Sequence, residues 1–306
     1  MKKWVALVAA LTALPAAAQN TAPEKPPVID MHFHAFTDAP AAQSVPMCPN
    51  ASGPDCTPKL YPAPPGKYLA MIAAEMERLN VTAVVFGTPE QVAAFEQAAP
   101  GRIIRGTRPT SQIDTSELQR LEMLFTDGGF KVMGEIGLQG VGMSPADLRV
   151  DHLFALAERL DIPVAIHMAG GGGGPSGTPT YRASMGDPLL LEEVLARHPK
   201  LRVQVMHAGY PWTDNMLALL GGYSQVYVDI AGVIWSSPTS EVNRYIERLV
   251  KAGFGNRVMF GTDQLLWPGL MPHSISIIQN ADYLTSQQKR DILYNNAARF
   301  LRLDKK

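Results

Sequence analysis

The sequence is that of a parallel (β/α)8 barrel of the TIM type, a single domain with a long cysteine-containing loop after its first strand. Three observations predict it. From Val28 onward, short β-rich runs alternate strictly with stretches of helical period, and eight such runs can be counted. Strict alternation makes a parallel sheet, and eight units close it into a barrel. The chain beyond its first 18 residues suits one large domain or two small ones, and barrels of about 250 residues commonly form a single domain. The alternative, a doubly wound open sheet, lacks the G-x-G-x-x-G expected after its first strand.

The chain starts Met1-Lys2-Lys3, continues with an apolar run from Trp4 to Leu11, and reaches Ala16-Ala17-Ala18 before Gln19. A basic start, a short apolar run and small residues at a cleavage point make residues 1–18 a secretory signal peptide. Residues 19–306 then form the barrel domain. The apolar run is shorter than the roughly 20 residues a membrane span needs, and no cysteine follows it to carry a lipid. A periplasmic or secreted protein without membrane anchor is expected. The net charge of −1 becomes slightly more acidic once Lys2 and Lys3 are removed. With no basic stripe, nucleic acid is not an expected partner.

Residues 19–26 are small, polar and proline-rich, and read as a flexible lead-in. Val28–His34 alternates apolar and polar residues with the period of a half-buried strand. The segment from there to about Gly66 carries many prolines, which exclude a regular helix or central strand. It holds the only cysteines, Cys48 and Cys56, which in an exported chain are expected to form a disulfide. A soft metal site is the alternative, a poor one with no histidine close by. So long a loop beside the first strand is a candidate lid, or else an exposed ornament.

The remaining elements follow in order. Tyr68–Leu79 is a helix with Leu69, Ile72, Ala73, Met76 and Leu79 on one side. Val81–Phe86 is a strand, Pro89–Ala98 a helix, Arg102–Thr107 a strand, Thr115–Phe125 a helix and Phe130–Ile136 a strand. Ser144-Pro145 opens a helix through Leu160, with serine at the cap and proline in the first turn. Pro163–His167 is a strand, and Asp187-Pro188 opens a helix to Arg197. Leu201–His207 is a strand, 213–220 a helix, Gln225–Ile230 a strand, Ser240–Lys251 a helix, Arg257–Asp263 the eighth strand and Thr285–Leu301 the final helix.

In such a barrel the working face is the carboxyl end of the strands. The first strand ends in His32 and His34, the fourth in Glu135, the fifth in His167, the sixth in His207 and the eighth in Asp263. Two strand residues apart, His32 and His34 project from one side and can share a cation. Four of the seven histidines and two carboxylates thus converge on one rim, which points to a metal centre.

With these residues, the chain resembles the amidohydrolase superfamily, specifically its amidohydrolase-2-like branch of metal-dependent hydrolases. The resemblance is carried by Asp30-Met31-His32-Phe33-His34, Gly134-Glu135, Val164-Ala165-Ile166-His167, Val205-Met206-His207-Ala208-Gly209 and Gly261-Thr262-Asp263. Asn295-Asn296-Ala297-Ala298-Arg299 also looks like that branch's C-terminal signature. It implies that His32, His34, His167 and Asp263 bind a divalent metal, and leaves His207 as a ligand or as an electrophile and proton shuttle. Gly134-Glu135-Ile136-Gly137 looks like the version, seen in TatD-like nucleases, in which a glutamate bridges two metals. The alternative for Glu135 is a carboxylate that orients His167 or an arginine. Lys131 lies too deep in the strand to replace it.

A bound divalent ion brings the pKa of its water towards about 7 and polarises a carbonyl. Asp263 can take the proton and return it to the leaving group, and His207 can stabilise the oxyanion. The expected reaction is hydrolysis of an ester, lactone or amide bond of a small molecule. The alternatives are non-oxidative decarboxylation of an acidic, aromatic-type substrate, and a non-catalytic periplasmic binding barrel. Nitrogen and oxygen ligands suit zinc, with manganese or iron possible on the same set, as one ion or two. Tyr210, Trp212, Trp235 and Trp267 are candidates for an aromatic wall, or for loop packing. Arg105 and Arg182 are candidates for a carboxylate clamp, or for structural ion pairs. The loop Gly170–Gly174 beside His167 is expected to be mobile and lacks the lysine of a phosphate-binding loop. Asp30 is expected to support the site, His152 and His198 to be structural, and His273 lies in a loop without a role.

Overall fold

The computed structural model describes Met1 and residues 25–37, 45–51, 56–110, 112–170 and 180–303. Apart from Met1, the segment expected to be a signal peptide, together with most of the lead-in and all but the first residue of the Gly170–Gly174 loop, lies outside these described residues. Among them, eight strands form one sheet in sequence order. The strands are β1 (Val28–His34), β2 (Val81–Phe86), β3 (Ile103–Thr107), β4 (Val132–Ile136), β5 (Val164–His167), β6 (Val203–Met206), β7 (Val226–Asp229) and β8 (Val258–Met259). Every neighbouring pair is parallel. The barrel closes between the chain after β8 and β1. Met31 N donates to Phe260 O (3.0 Å), Asp263 N to His32 O (2.9 Å) and His34 N to Gln264 O (3.3 Å).

The helices are α1 (Tyr68–Leu79), α2 (Pro89–Ala98), α3 (Thr115–Thr126), α4 (Asp151–Arg159), α5 (Glu192–Arg197), α6 (Thr213–Gly222), α7 (Val233–Ser236), α8 (Thr239–Leu249), α9 (Leu270–Gln279), α10 (Ser286–Arg290) and α11 (Asn296–Leu301). Local sequence explains their starts. Thr88 and Gln91 form a reciprocal capping box ahead of Pro89, and Asp114 accepts from Glu117 N at the head of α3. Among the described residues no helix is long and apolar enough to cross a membrane.

Three expectations are corrected. The helix after β4 does not start at Ser144. Ser144 Oγ accepts from Ala146 N within a turn, and the helical path begins only at Leu148, behind Asp147, which accepts from Arg149 N. The eighth strand is short, because beyond Met259 the chain is held to β1 by the three bonds given above rather than by β7. His273 is helical rather than in a loop. Pro272 falls in the first turn of α9, where no intrahelical donor is lost, and Leu270, Met271, Ile275 and Ile278 bury one face.

A large apolar layer lies between sheet and helices, with Phe33, Tyr68, Phe95, Phe154 and Phe260 fully buried in it. A second cluster joins Ile29, Met31, Val84, Phe86, Val132, Ala165, Met206 and Met259. These come from six strands of a closed sheet, so they fill its interior, and Ala297, Ala298 and Phe300 of α11 seal it from below. The interior is packed solid beneath the rim, which leaves chemistry only at the carboxyl end. Gly134 permits this closeness, since a Cβ there would meet Ala165 Cβ and O at 2.6 Å.

Cys48 and Cys56 form a disulfide, with Cα atoms 5.7 Å apart. Met47 and Leu60 bridge in antiparallel fashion beside it. Residues 38–44 and 52–55 of this loop lie outside the described residues.

Candidate metal centre

The strand ends deliver His32 and His34 (β1), Glu135 (β4) and His167 (β5) to one point above the barrel interior. His207 and Asp263 reach it from residues just past β6 and β8. Both sit in the left-handed backbone region, at φ 57° and 56°, as does Ala208 at 50°. For non-glycine residues this costs about 1–3 kcal/mol each, which the surrounding packing must hold, as is usual where side chains are aimed for function.

Glu135 lies at the centre. Its Oε2 is 4.0 Å from His32 Nε2 and 3.7 Å from His34 Nε2, while its Oε1 is 3.9 Å from Nε2 of both His167 and His207. Asp263 Oδ1 accepts from His34 Nε2 at 2.8 Å and lies 3.5 Å from His32 Nε2. Two ligands each about 2 Å from one ion are at most about 4 Å apart, so these separations are those of atoms sharing cations. Two sets have all donor atoms within 4.8 Å of one another: His32, Glu135 and His207, and His32, His34 and Asp263. His32 makes the case from burial. It is inaccessible to solvent, and neither ring nitrogen has a hydrogen-bond partner. A buried imidazole so placed loses its water contacts without compensation, and a cation held at Nε2 would supply a partner there.

The outer contacts aim the rings. His167 Nδ1 donates to Gln139 Oε1 (2.8 Å), whose amide is itself fixed by donating to Ala169 O (2.9 Å). His207 Nδ1 donates to Ala231 O (2.9 Å). Each therefore turns Nε2 inward. Asp229, at the end of β7, accepts from the backbone N of His207 (3.1 Å) and Ala231 (3.0 Å), and its other oxygen stands 3.7 Å from His32 Nδ1. Gly232 leaves no room for a side chain, since a Cβ would meet His207 Nδ1 at 2.8 Å and Asp263 Oδ2 at 3.1 Å.

The charges compensate one another. Burial pushes the Asp263 carboxyl up, but the His32 and His34 imidazoles outweigh it and hold it at about 2. Burial acts likewise on Glu135, and the surrounding histidines, His207 foremost, hold it well below the usual carboxylate range. Burial lowers His167 to about 4, helped by repulsion from His207. His207 also suffers burial, yet Glu135 and then Asp263 raise it to about 9. Anionic carboxylates and a neutral His167 are the forms a divalent ion takes as ligands. Asp30 is pushed up to about 6 by burial, against hydrogen bonds from Thr262, and its carboxylate is engaged by the amides of Thr262 and His32 rather than by the cluster.

Above the cluster opens a cavity of about 810 Å³, with His34, Glu135, His167, His207 and Asp263 on its floor and Tyr210, Trp212 and Trp235 in its wall. Its size suits a small molecule. The other three expected contacts fall outside its lining. Trp267 Nε1 donates to Val45 O (2.9 Å) and fastens the loop that follows β1. Arg105 binds Glu96 through two bonds (2.8 and 2.7 Å) and Gly128 O (2.8 Å), because inside β3 its side chain turns towards the helices rather than the rim. Arg182 is exposed and donates to Tyr181 O (2.8 Å).

Four contributors were missed from sequence: Arg108, Gln139, Asp229 and Gly232. Arg108 follows the last residue of β3, and its Nη2 donates to His34 Nδ1 (3.1 Å). Reading the strand end instead of the strand interior would have chosen it over Arg105. The same rule applied to β7 would have found Asp229. Gln139 and Gly232 carry no such signal.

Comparison with known proteins agrees with this geometry. Residues 29–303 match the family model described as Amidohydrolase. No curated protein sequence matches. Among solved structures, a TIM-barrel protein of Bordetella bronchiseptica superposes with a TM-score of 0.67 at 19% identity, covering 90% of this chain and 98% of that one. A probable 2-pyrone-4,6-dicarboxylic acid hydrolase of Acinetobacter baumannii gives 0.58 at 14% identity, covering 90% and 98%. A dihydroxybenzoic acid decarboxylase of Polaromonas sp. JS666, with bound manganese, gives 0.61 at 14%, covering 92% and 98%. At these identities the likeness is one of fold.

Proposed function

The chain belongs to the amidohydrolase family, and from that membership we propose that it is a metal-dependent hydrolase cleaving an ester, lactone or amide bond of a small molecule. One observation carries the reading. The two oxygens of Glu135 face different histidine pairs, Oε2 towards His32 and His34 and Oε1 towards His167 and His207. A carboxylate so placed would be shared by two ions, with His32, His34 and Asp263 able to hold one and His167 and His207 the other.

When bound, divalent metal supplies Lewis acidity and acidifies water. Zinc suits the donors, and manganese, present in the decarboxylase neighbour, is an alternative. The chain's own residues do the rest. Asp263, held anionic, accepts a proton from water and returns it to the leaving group. His207, with Nδ1 engaged by Ala231 O, would hold the second ion through Nε2 beside His167, and would present that nitrogen to the developing oxyanion only in a one-ion site. The aromatic wall orients the substrate and excludes water. The leader-like start and the disulfide support a location outside the cytoplasm as part of this proposal.

A second reading, decarboxylation of an acidic substrate, is favoured by Arg108. Among the described residues its guanidinium pairs with no carboxylate, and it stands beside His34 at the rim. Elemental analysis of the wild type and Glu135→Ala separates the two. Two ions falling to one support the bridged hydrolase. One ion in both removes the bridge and leaves decarboxylation, read as release of carbon dioxide from hydroxylated aromatic acids. No bound ion, with activity surviving chelation, sinks both.

A further inference from the structure

The wall of the substrate cavity is held from outside the barrel by one side chain of the disulfide loop, Asn50. The segment at issue is α7 with Ser237, which contributes Val233, Trp235, Ser236 and Ser237 to the lining. A helix of one turn cannot satisfy its own carbonyls. Two of these carbonyls find the same partner, since Asn50 Nδ2 donates to Ile234 O at 2.9 Å and to Ser237 O at 2.8 Å. Both partners are pure acceptors, so the amide orientation is determined, and Oδ1 accepts from His273 Nε2 of α9 at 2.7 Å. Burial lowers the His273 pKa, which favours the neutral ring, and the Asn50 Oδ1 acceptor places its proton on Nε2.

One side chain thus ties together three parts of the rim that are distant in sequence: the loop after β1, the wall after β7 and the helix after β8. Asn50 adopts φ 59°, the left-handed conformation that asparagine tolerates better than most residues. The Cys48–Cys56 disulfide spans the turn on which it sits. Met47 and Leu60 exchange two backbone bonds of 2.8 Å at its base. The wall is also attached on its inner side. Trp235 Nε1 donates to Thr262 O (2.6 Å), next to Asp263, and the backbone at Gly232 runs so near His207 and Asp263 that a Cβ there would collide with both. The segment therefore has two attachments, one to the candidate metal centre and one to Asn50.

We propose that Asn50 is a positioning residue for specificity: by clamping Ile234 and Ser237, it sets where the Trp235 wall stands and hence which small, apolar-bodied substrates fit above the metal centre. The proposal rests on the reading of that cavity as the substrate site. The disulfide serves to hold Asn50 in place.

The test uses Asn50→Asp, which keeps size and the bond from His273 but removes both donors. Asn50→Gly, which keeps the left-handed backbone, is the second variant in case the first fails to fold. Hydrogen exchange of the full chain is followed by mass spectrometry. Amides of residues 233–239 are expected to exchange about tenfold faster in both variants, the ratio expected from losing bonds of ordinary strength, with β5 and α4 unchanged and metal content retained. On any ester the wild type hydrolyses, KM is expected to rise with kcat kept, where general loosening would lower kcat and metal content together. Unchanged exchange over 233–239 in a folded variant overturns the clamp, whatever the reaction is. Altered exchange with no hydrolysis of any ester by the wild type leaves the clamp standing and counts against the hydrolase reading instead.

Discussion

Asp229 touches no substrate-facing surface, yet it arranges two of the cluster's histidines at once. One oxygen fixes the backbone N of His207, and the other faces Nδ1 of His32 at 3.7 Å, while Nε2 of that ring faces Asp263 and Glu135. An asparagine there keeps the shape and removes the charge. Asp229→Asn is expected to weaken metal binding by about 10–100-fold, the usual effect of losing a carboxylate behind a ligating histidine. Competition with a chromophoric chelator measures this directly, and an affinity equal to the wild type's would show that Asp229 only braces the backbone. The residues legible in advance were those whose chemistry and strand-end position coincide: His32, His34, Glu135, His167, His207 and Asp263. Arg105 and Arg182 were chosen for chemistry alone. Their partners, Glu96 and the carbonyls of Gly128 and Tyr181, are supplied by turns and helices whose paths are invisible in a strand pattern.

Helix limits follow local rules wherever a cap competes with nothing else. Thr285 and Gln288 cap each other reciprocally at the start of the path from α10 to α11, and that path seals the bottom of the barrel with Phe300. Phe260 N also donates to Ile292 O (2.8 Å), so the same path braces the chain leaving β8. Thr285→Ala is expected to lower stability by about 1 kcal/mol, seen in urea titration as a lower midpoint with unchanged slope. A change below about 0.3 kcal/mol would mean that packing alone positions the helix. Ser144 shows where such rules fail. It has the right residue type and a proline after it, but its hydroxyl closes a turn on Ala146 and the helix begins later, behind Asp147. α9, where a loop is expected around His273, shows that a proline in a first turn breaks nothing.

The candidate ligands come from five separate strand ends, so any ion bound among them is bound only by the closed barrel. Removing it should therefore cost stability as well as activity. At an ion concentration about a hundred times Kd the linkage is worth about 2.7 kcal/mol, and chelation is expected to lower Tm by roughly 5–10 °C. Thermal melts with and without chelator test this, and superimposable melts would count against a resident ion. Alternation of short apolar runs with helical periods was enough to specify the eightfold barrel, because period and length are local properties that survive any arrangement in space. The ends of those runs specified the cluster of histidines and carboxylates, because a parallel barrel brings all carboxyl ends to one face. The clamp of Asn50 across the rim, the pairing of each Glu135 oxygen with its own two histidines, and the choice of Arg108 over Arg105 were not legible. Each depends on distances between segments far apart in the chain, and such distances exist only once the barrel has closed.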